Sequence, residues 1–179
     1  MNTKNLVALS LLIAIGAVLH AVIPPIFLGM KPDMMLTMMF LGIFLFPEIK
    51  NVVLLGVVTG LISGITTTFP GGLFPNIIDK IITSLLIFGI FLLLNKYRNS
   101  IVSVGILTAL GTLISGTVFL TSALFLVGLP GPFVGLFTAV VLPAAVINTV
   151  TMVILYPIAS TIFKRTKLVT PALAENQKL

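Results

Sequence analysis

Lys31 with Asp33, and Asp79 with Lys80, form two pairs of opposite charge in a chain of 179 residues that holds only 10 Lys and Arg and 4 Asp and Glu. A carboxylate accepts hydrogen bonds and a lysine donates them, so the chemistry on offer is the holding of a small charged ligand. Both pairs sit beside Pro or Gly at the end of an apolar stretch. His20, Asn76 and Asn148 are the other polar side chains that stand apart from the apolar background. Ionisable groups set into such segments are costly and are functional candidates by default. Structural roles compete for the same residues. Asn76 before Ile77, with Asp79 three positions on, has the pattern of a helix-start cap, and Pro32-Asp33 has a similar one. Lys31 and Lys80 have stems long enough to snorkel to an interface. An amide as deep as Asn148 must find a partner, across helices or at a carbonyl released by Pro143. Two pairs on one face favour a ligand for at least some of these groups.

The elements that carry them follow from composition. With 58% apolar and 8% charged side chains, the chain cannot build a water-facing surface, since ordinary globular chains carry roughly 25% charged residues. Mean hydropathy of +1.26 gives the same reading. Continuous apolar runs without alternation exclude a membrane barrel and predict a single all-α domain over residues 1–167. Six transmembrane helices are expected near 5–23, 32–46, 51–69, 76–95, 100–127 and 133–163, followed by a cytoplasmic tail over 168–179. The second run is short for a span, which calls for little tilt, a locally thinned bilayer or a start as early as Pro32. The sixth is long and holds Pro143 and Pro157, which predicts a kink or an early end.

Placing the N-terminus in the cytoplasm puts Lys4, Lys50, Lys96, Arg98, Lys164, Arg165, Lys167 and Lys178 on the inner side, eight of the ten basic residues. Both termini are then cytoplasmic, and Lys31 and Lys80 fall at the outer ends. The formal charge of +6 thereby reads as topological anchoring rather than as a nucleic-acid surface. Zero cysteines exclude disulfides and thiolate chemistry. No phosphate loop of the GxxxxGK[ST] type occurs, so ATP hydrolysis would have to come from other subunits. No catalytic or metal-ligand motif is present, and mid-span polarity is too sparse for a channel stripe. Ser10, Ala14, Ala17 and Ala21 form a smooth stripe on helix one where another helix can come close; packing within the chain is the ordinary explanation. The Met34-Met35 and Met38-Met39 group reads as adaptable core packing.

The stretch from Leu12 to His20 followed by Ile23-Pro24-Pro25, then Gly29-Met30-Lys31-Pro32-Asp33-Met34-Met35, Leu45-Phe46-Pro47 and Phe74-Pro75-Asn76-Ile77-Ile78-Asp79-Lys80, resembles the bacterial tryptophan transporter family TrpP. The resemblance is strongest through about residue 95. The second half resembles that family in length and hydropathy alone. TrpP proteins are in turn similar to the substrate-binding S components of energy-coupling factor (ECF) transporters. The resemblance implies a multi-pass protein of the cell membrane that captures tryptophan from outside. It implies a T component docked on the small-residue face of helix one, at Ser10-x-x-x-Ala14, and two partner ATPases that hydrolyse the ATP. No cofactor bound by the chain itself is implied.

For such a substrate, Asp79 or Asp33 would take the ammonium and Lys31 or Lys80 the carboxylate; if each pair neutralises itself, the ligand must displace that interaction. An indole asks for flat apolar walls and one acceptor for its N–H. With no Trp in the chain, Phe27, Phe69, Phe74 and Phe133 are the candidate walls, against a competing role in interfacial packing, and Asn148 offers an amide oxygen at the floor. The expected site is thus Lys31, Asp33, Asn76, Asp79, Lys80 and Asn148. Two further functions stay open: a stand-alone permease in which His20 or an acidic group carries coupling protons, and a non-transporting sensory or structural membrane protein.

Overall fold

The structure, a computed structural model, describes residues 3–24, 33–94 and 100–166. Six helices and no strand occur among them: α1 Thr3–Val22, α2 Met34–Leu45, α3 Ile49–Ile65, α4 Leu73–Leu93, α5 Ile101–Leu126 and α6 Phe133–Arg165. The long helices α1, α4, α5 and α6 are each long and apolar enough to cross a membrane, whereas α2 and α3 are shorter apolar helices. Outward faces carry large apolar side chains such as Val7, Leu11, Leu86 and Phe125. Only a lipid solvent makes such a surface stable.

Helix α2 explains its own shortness. Its 12 residues are apolar all round apart from Thr37, and all of them are buried. A helix without a polar face belongs in a core, and α2 packs against each of the other five helices. At about 18 Å long it falls well short of a ~30 Å hydrocarbon layer, and inside the bundle it has no need to match it. The helix begins at Met34, later than the expected Pro32, because Asp33 caps it by accepting a hydrogen bond from the Leu36 N–H at 3.1 Å. Met35, Met38 and Met39 fill the core as expected, and Phe44 rests against Phe91 of α4 with ring centroids 5.1 Å apart.

Helices α3 and α4 approach through glycines. Gly56, Gly60 and Gly64 recur every fourth residue, so they lie on one face of α3. A Cβ at Gly60 would stand 3.0 Å from the Ile77 Cα and 3.3 Å from the Lys80 Cβ. This stripe, unlike that of α1, was not singled out in the sequence. The α1 stripe lies elsewhere than packing within the chain would require: Ser10, Ala14 and Ala21 are exposed and Ala17 is half-buried. The face of α1 turned inward is Asn5, Leu9, Leu12, Ile13, Gly16 and His20.

Two local features shape the end of the bundle where α1 finishes. After α3, Phe69-Pro70-Gly71-Gly72 forms a turn closed by the Gly72 N–H on the Phe69 carbonyl at 3.0 Å, with Gly71 at φ +69°. Pro in the second position and a left-handed Gly in the third are what a type II turn demands. In α6, Phe137–Val141 is a π-helical turn directly before Pro143. Pro143 has no N–H to give the preceding turn, and the widened turn absorbs the defect, so the helix runs on rather than ending early. Past Pro157 the helix also continues, to Arg165.

The close approach of α3 and α4 generates a paired prediction. Gly60→Ala should destabilise the protein by about 1–3 kcal/mol through overpacking, read as denaturant unfolding in detergent micelles. Gly89→Ala, where nothing lies within 4 Å of the added methyl, should leave stability unchanged or raise it by up to about 1 kcal/mol through helix propensity.

Candidate functional site

Five of the six helices or their caps, with the turn after α3, line one cavity at the end where α1, α3 and α5 finish and α2, α4 and α6 begin. His20 comes from the end of α1, Asp33 from the cap of α2, and Phe69 from the turn after α3. The first turns of α4 supply Asn76, Asp79 and Lys80, α5 supplies Thr112, Ser115 and Phe119, and α6 supplies Val140, Val141 and Asn148. The cavity measures about 90 Å³.

Its centre is Lys80. The side chain is only 1% exposed, and its Nζ lies 2.7 Å from Asp33 Oδ2 and 2.5 Å from Asp79 Oδ2. Asp79 Oδ2 also accepts the Ser115 hydroxyl at 2.8 Å, and Asp79 Oδ1 accepts that of Thr83 at 2.9 Å. Asp33 Oδ1, the cap of α2, lies 3.4 Å from His20 Nδ1. Among the described residues, two carboxylates thus share one ammonium. Burial makes that ratio matter, because isolated charge in a medium of low polarity is expensive.

The geometry redraws the expected pairs. Lys80 does not snorkel; it points into the core and ties the α2 cap to α4. Asp33 is both a cap and an ion-pair partner. Lys31 and Phe27 lie outside the described residues. Asn76 and Asp79 are no helix-start cap, because α4 begins earlier than expected, at Leu73, with Gly72 before it. Asn76 instead donates its side-chain amide to the Gly72 carbonyl at 2.8 Å. Of the expected aromatic contacts, Phe69 lines the cavity, buried. Phe74 is 65% exposed on the outer face, and Phe133 stacks on Phe137 with centroids 6.4 Å apart, beyond the cavity wall.

Phe119, Ser115, Thr112 and Thr83 line or support the site and were not foreseen. Phe119 meets Phe69 edge to face, centroids 5.3 Å apart and planes at 80°. Ser115 and Thr83 hold Asp79. Their signal was present: Thr108, Thr112, Ser115 and Phe119 repeat at spacings of four, three and four on α5, and Thr83 stands one turn beyond Asp79. Most hydroxyls on these helices, such as Thr108, Thr117 and Thr149, donate to a carbonyl four residues back. Ser115 and Thr83 turn away from their own backbone toward a charge.

Asn148 closes the deep side. It is fully buried, and its Nδ2 donates to Thr112 Oγ1 at 3.3 Å. Thr112 has already given its proton to the Thr108 carbonyl at 2.8 Å. Among the described residues, no hydrogen-bond partner meets Asn148 Oδ1. Among the described residues, no group of three or more His, Asp and Glu is placed to hold a metal ion.

Residues 2–164 match the family model described as Tryptophan transporter TrpP. A "Probable tryptophan transport protein" of Bacillus subtilis (strain 168) is 56% identical over 172 residues, covering 96% of this chain and 99% of the relative. A protein of the same description from Clostridium acetobutylicum is 47% identical, covering 87% of this chain and 91% of the relative. One from Clostridium perfringens is 40% identical over 93% of this chain and 97% of its own length. No solved structure matches the chain at a significant level. The chain belongs to the TrpP family of tryptophan transporters and is a multi-pass membrane protein.

The shared ammonium sets the stability of the site. Lys80→Met strands the buried Asp79 carboxylate and the half-buried Asp33, and should cost about 3–5 kcal/mol, the usual penalty for breaking a buried ion pair from one side. Neutralising all three positions, Asp33→Asn with Asp79→Asn and Lys80→Met, should recover most of that loss. Thermal unfolding of the purified variants in detergent measures both.

Proposed function

We propose that this member of the TrpP family takes up tryptophan across the cytoplasmic membrane as the substrate-binding S component of an ECF transporter. The observation that carries the substrate reading is the cavity itself: the buried Asp79 and half-buried Asp33 carboxylates around one lysine, beside a wall of two phenylalanines. With two acidic groups to one lysine among the described residues, an ammonium is drawn to the Asp33–Asp79 side. Lys80 and the Asn76 amide then face the ligand's carboxylate. Because the three charged side chains already engage one another, the incoming zwitterion exchanges partners with them rather than filling vacant sites. Phe69 and Phe119 meet at right angles, so that one ring offers its face and the other its edge to an aromatic guest. Val140, Val141 and Ala144 supply the aliphatic side.

The reading as an S component rests on α1. Ser10, Ala14 and Ala21 leave a stripe of small side chains exposed, flanked by Leu11 and Val18, and the packing of the described residues does not use it. Such a stripe lets a second helix approach closely in lipid. In this reading the T component docks there and partner ATPases drive the cycle.

A second reading has its own observation. His20 stands 3.4 Å from Asp33, which itself binds Lys80, so a proton on the imidazole would bear directly on the charge balance of the site. A permease coupled to protons would use that contact.

Titrating purified protein with the twenty amino acids should show saturable binding of tryptophan ahead of the rest, and Asp79→Asn should weaken it by about 10- to 100-fold. Binding unaffected by Asp79→Asn removes the zwitterion assignment. In cells, Ala14→Leu should abolish uptake and co-purification of a T component while leaving tryptophan binding intact. Uptake that survives loss of the T component but collapses with a proton uncoupler decides for the permease.

A further inference from the structure

The hydroxyl ladder beneath the cavity determines how Asn148 presents itself. Thr108 donates to the Val104 carbonyl at 2.8 Å and Thr112 to the Thr108 carbonyl at 2.8 Å, so the only proton on Thr112 points down α5. What Thr112 Oγ1 turns toward α6 is therefore a lone pair. Only the NH₂ of Asn148 can meet it, and the 3.3 Å contact from Nδ2 is that bond. Turning the amide over would set oxygen against oxygen. The orientation of Asn148 is thus imposed by a neighbouring helix, and the group left over is its carbonyl oxygen, a fully buried acceptor with no donor among the described residues.

An acceptor left this way is unfavourable unless something completes it. Asn148 and Thr112 both belong to the cavity wall, one turn of α5 below Ser115 and the Asp79 carboxylate. The neighbouring wall is the π-helical turn, where Val141 presses on Gly116 so closely that a methyl group on that glycine would collide with it.

We propose that Asn148 is the residue that selects the ring: its oxygen, held in place by Thr112, accepts a hydrogen bond from an N–H in the aromatic part of the ligand, and so favours indoles over aromatic rings that lack a donor. This rests on the reading of the cavity as an amino-acid site and adds the discrimination that charge recognition cannot supply, because every amino acid carries the same ammonium and carboxylate. A site built around an acceptor discriminates strongly, since a ligand without the donor leaves that acceptor buried and unmet.

The probe is the tryptophan analogue in which sulfur replaces the ring N–H, 3-(benzothiophen-3-yl)alanine, which has similar shape and the same zwitterion but no ring donor. By calorimetric titration of the purified full-length chain, tryptophan should bind about ten-fold or more tighter than the sulfur analogue. Asn148→Leu should bring the two ligands to within about three-fold of each other, and it should do so by weakening tryptophan. Thr112→Val, which keeps Asn148 but removes the group that orients it, should reduce the preference part of the way. Equal binding of the two ligands to the unmodified protein overturns the inference and leaves the tryptophan reading standing. A preference that persists in Asn148→Leu assigns the ring to another acceptor and overturns it as well. If Asn148→Leu does not fold, the unmodified protein and Thr112→Val decide. Absence of any tryptophan binding overturns the substrate reading and this inference together.

Discussion

One ammonium shared by two carboxylates, inside a helix bundle that faces lipid, is the constraint around which the rest is arranged. Lys80 lies on α4, Asp79 precedes it, and Asp33 comes from the cap of α2. Burial makes each of these charges costly alone, and proximity offsets that cost only while all three stay together. The contact therefore ties the start of α2 to α4 as firmly as any apolar packing at that end. Among the described residues, the cluster sets two acidic groups against one lysine.

Around that cluster the bundle spends very little polarity. In lipid a hydroxyl has no water to turn to, and most threonines here settle the matter within their own helix by donating one turn back. The exceptions mark the site. Ser115 and Thr83 reach Asp79 from two helices, and Asn148 reaches across to Thr112. Where a side chain leaves its own backbone for another helix, the carboxylate or amide it meets is fixed in position, and the cavity gains a wall of defined polarity.

Glycine and proline decide how closely these walls stand. Gly56, Gly60 and Gly64 let α3 lie against the backbone of α4, which carries Asp79 and Lys80. Gly116 admits Val141 from the π-helical turn of α6, and Pro143 gives that turn its reason. The type II turn through Pro70 and Gly71 brings Phe69 back over the opening to meet Phe119. None of these glycines and prolines carries a polar side chain, yet each sets the position of a residue that lines the cavity.

The sequence by itself determined the solvent, the helical class and the family. A composition this poor in charge has no stable arrangement in water, and unbroken apolar runs leave the helix as the one element whose backbone bonds close locally. It also pointed to Asp33, Asp79, Lys80 and Asn148, because polar groups are conspicuous where polarity is scarce. The second half of the chain carried no motif that resembled a known family, so Ser115, Phe119 and Thr112 passed unremarked. Pairing was beyond it as well. Adjacent charges at Asp79 and Lys80 suggested a local couple, but whether Lys80 turns to lipid, to water or to Asp33 depends on where α2 lies relative to α4. The start of α4 at Leu73, which turned a presumed cap into the interior of a helix, and the outward face of Ser10 and Ala14 are likewise outcomes of packing. Periodicity states which residues share a face; only the close approach of helices distant in sequence, where the free energy of buried charge and of close packing is settled, states what that face meets.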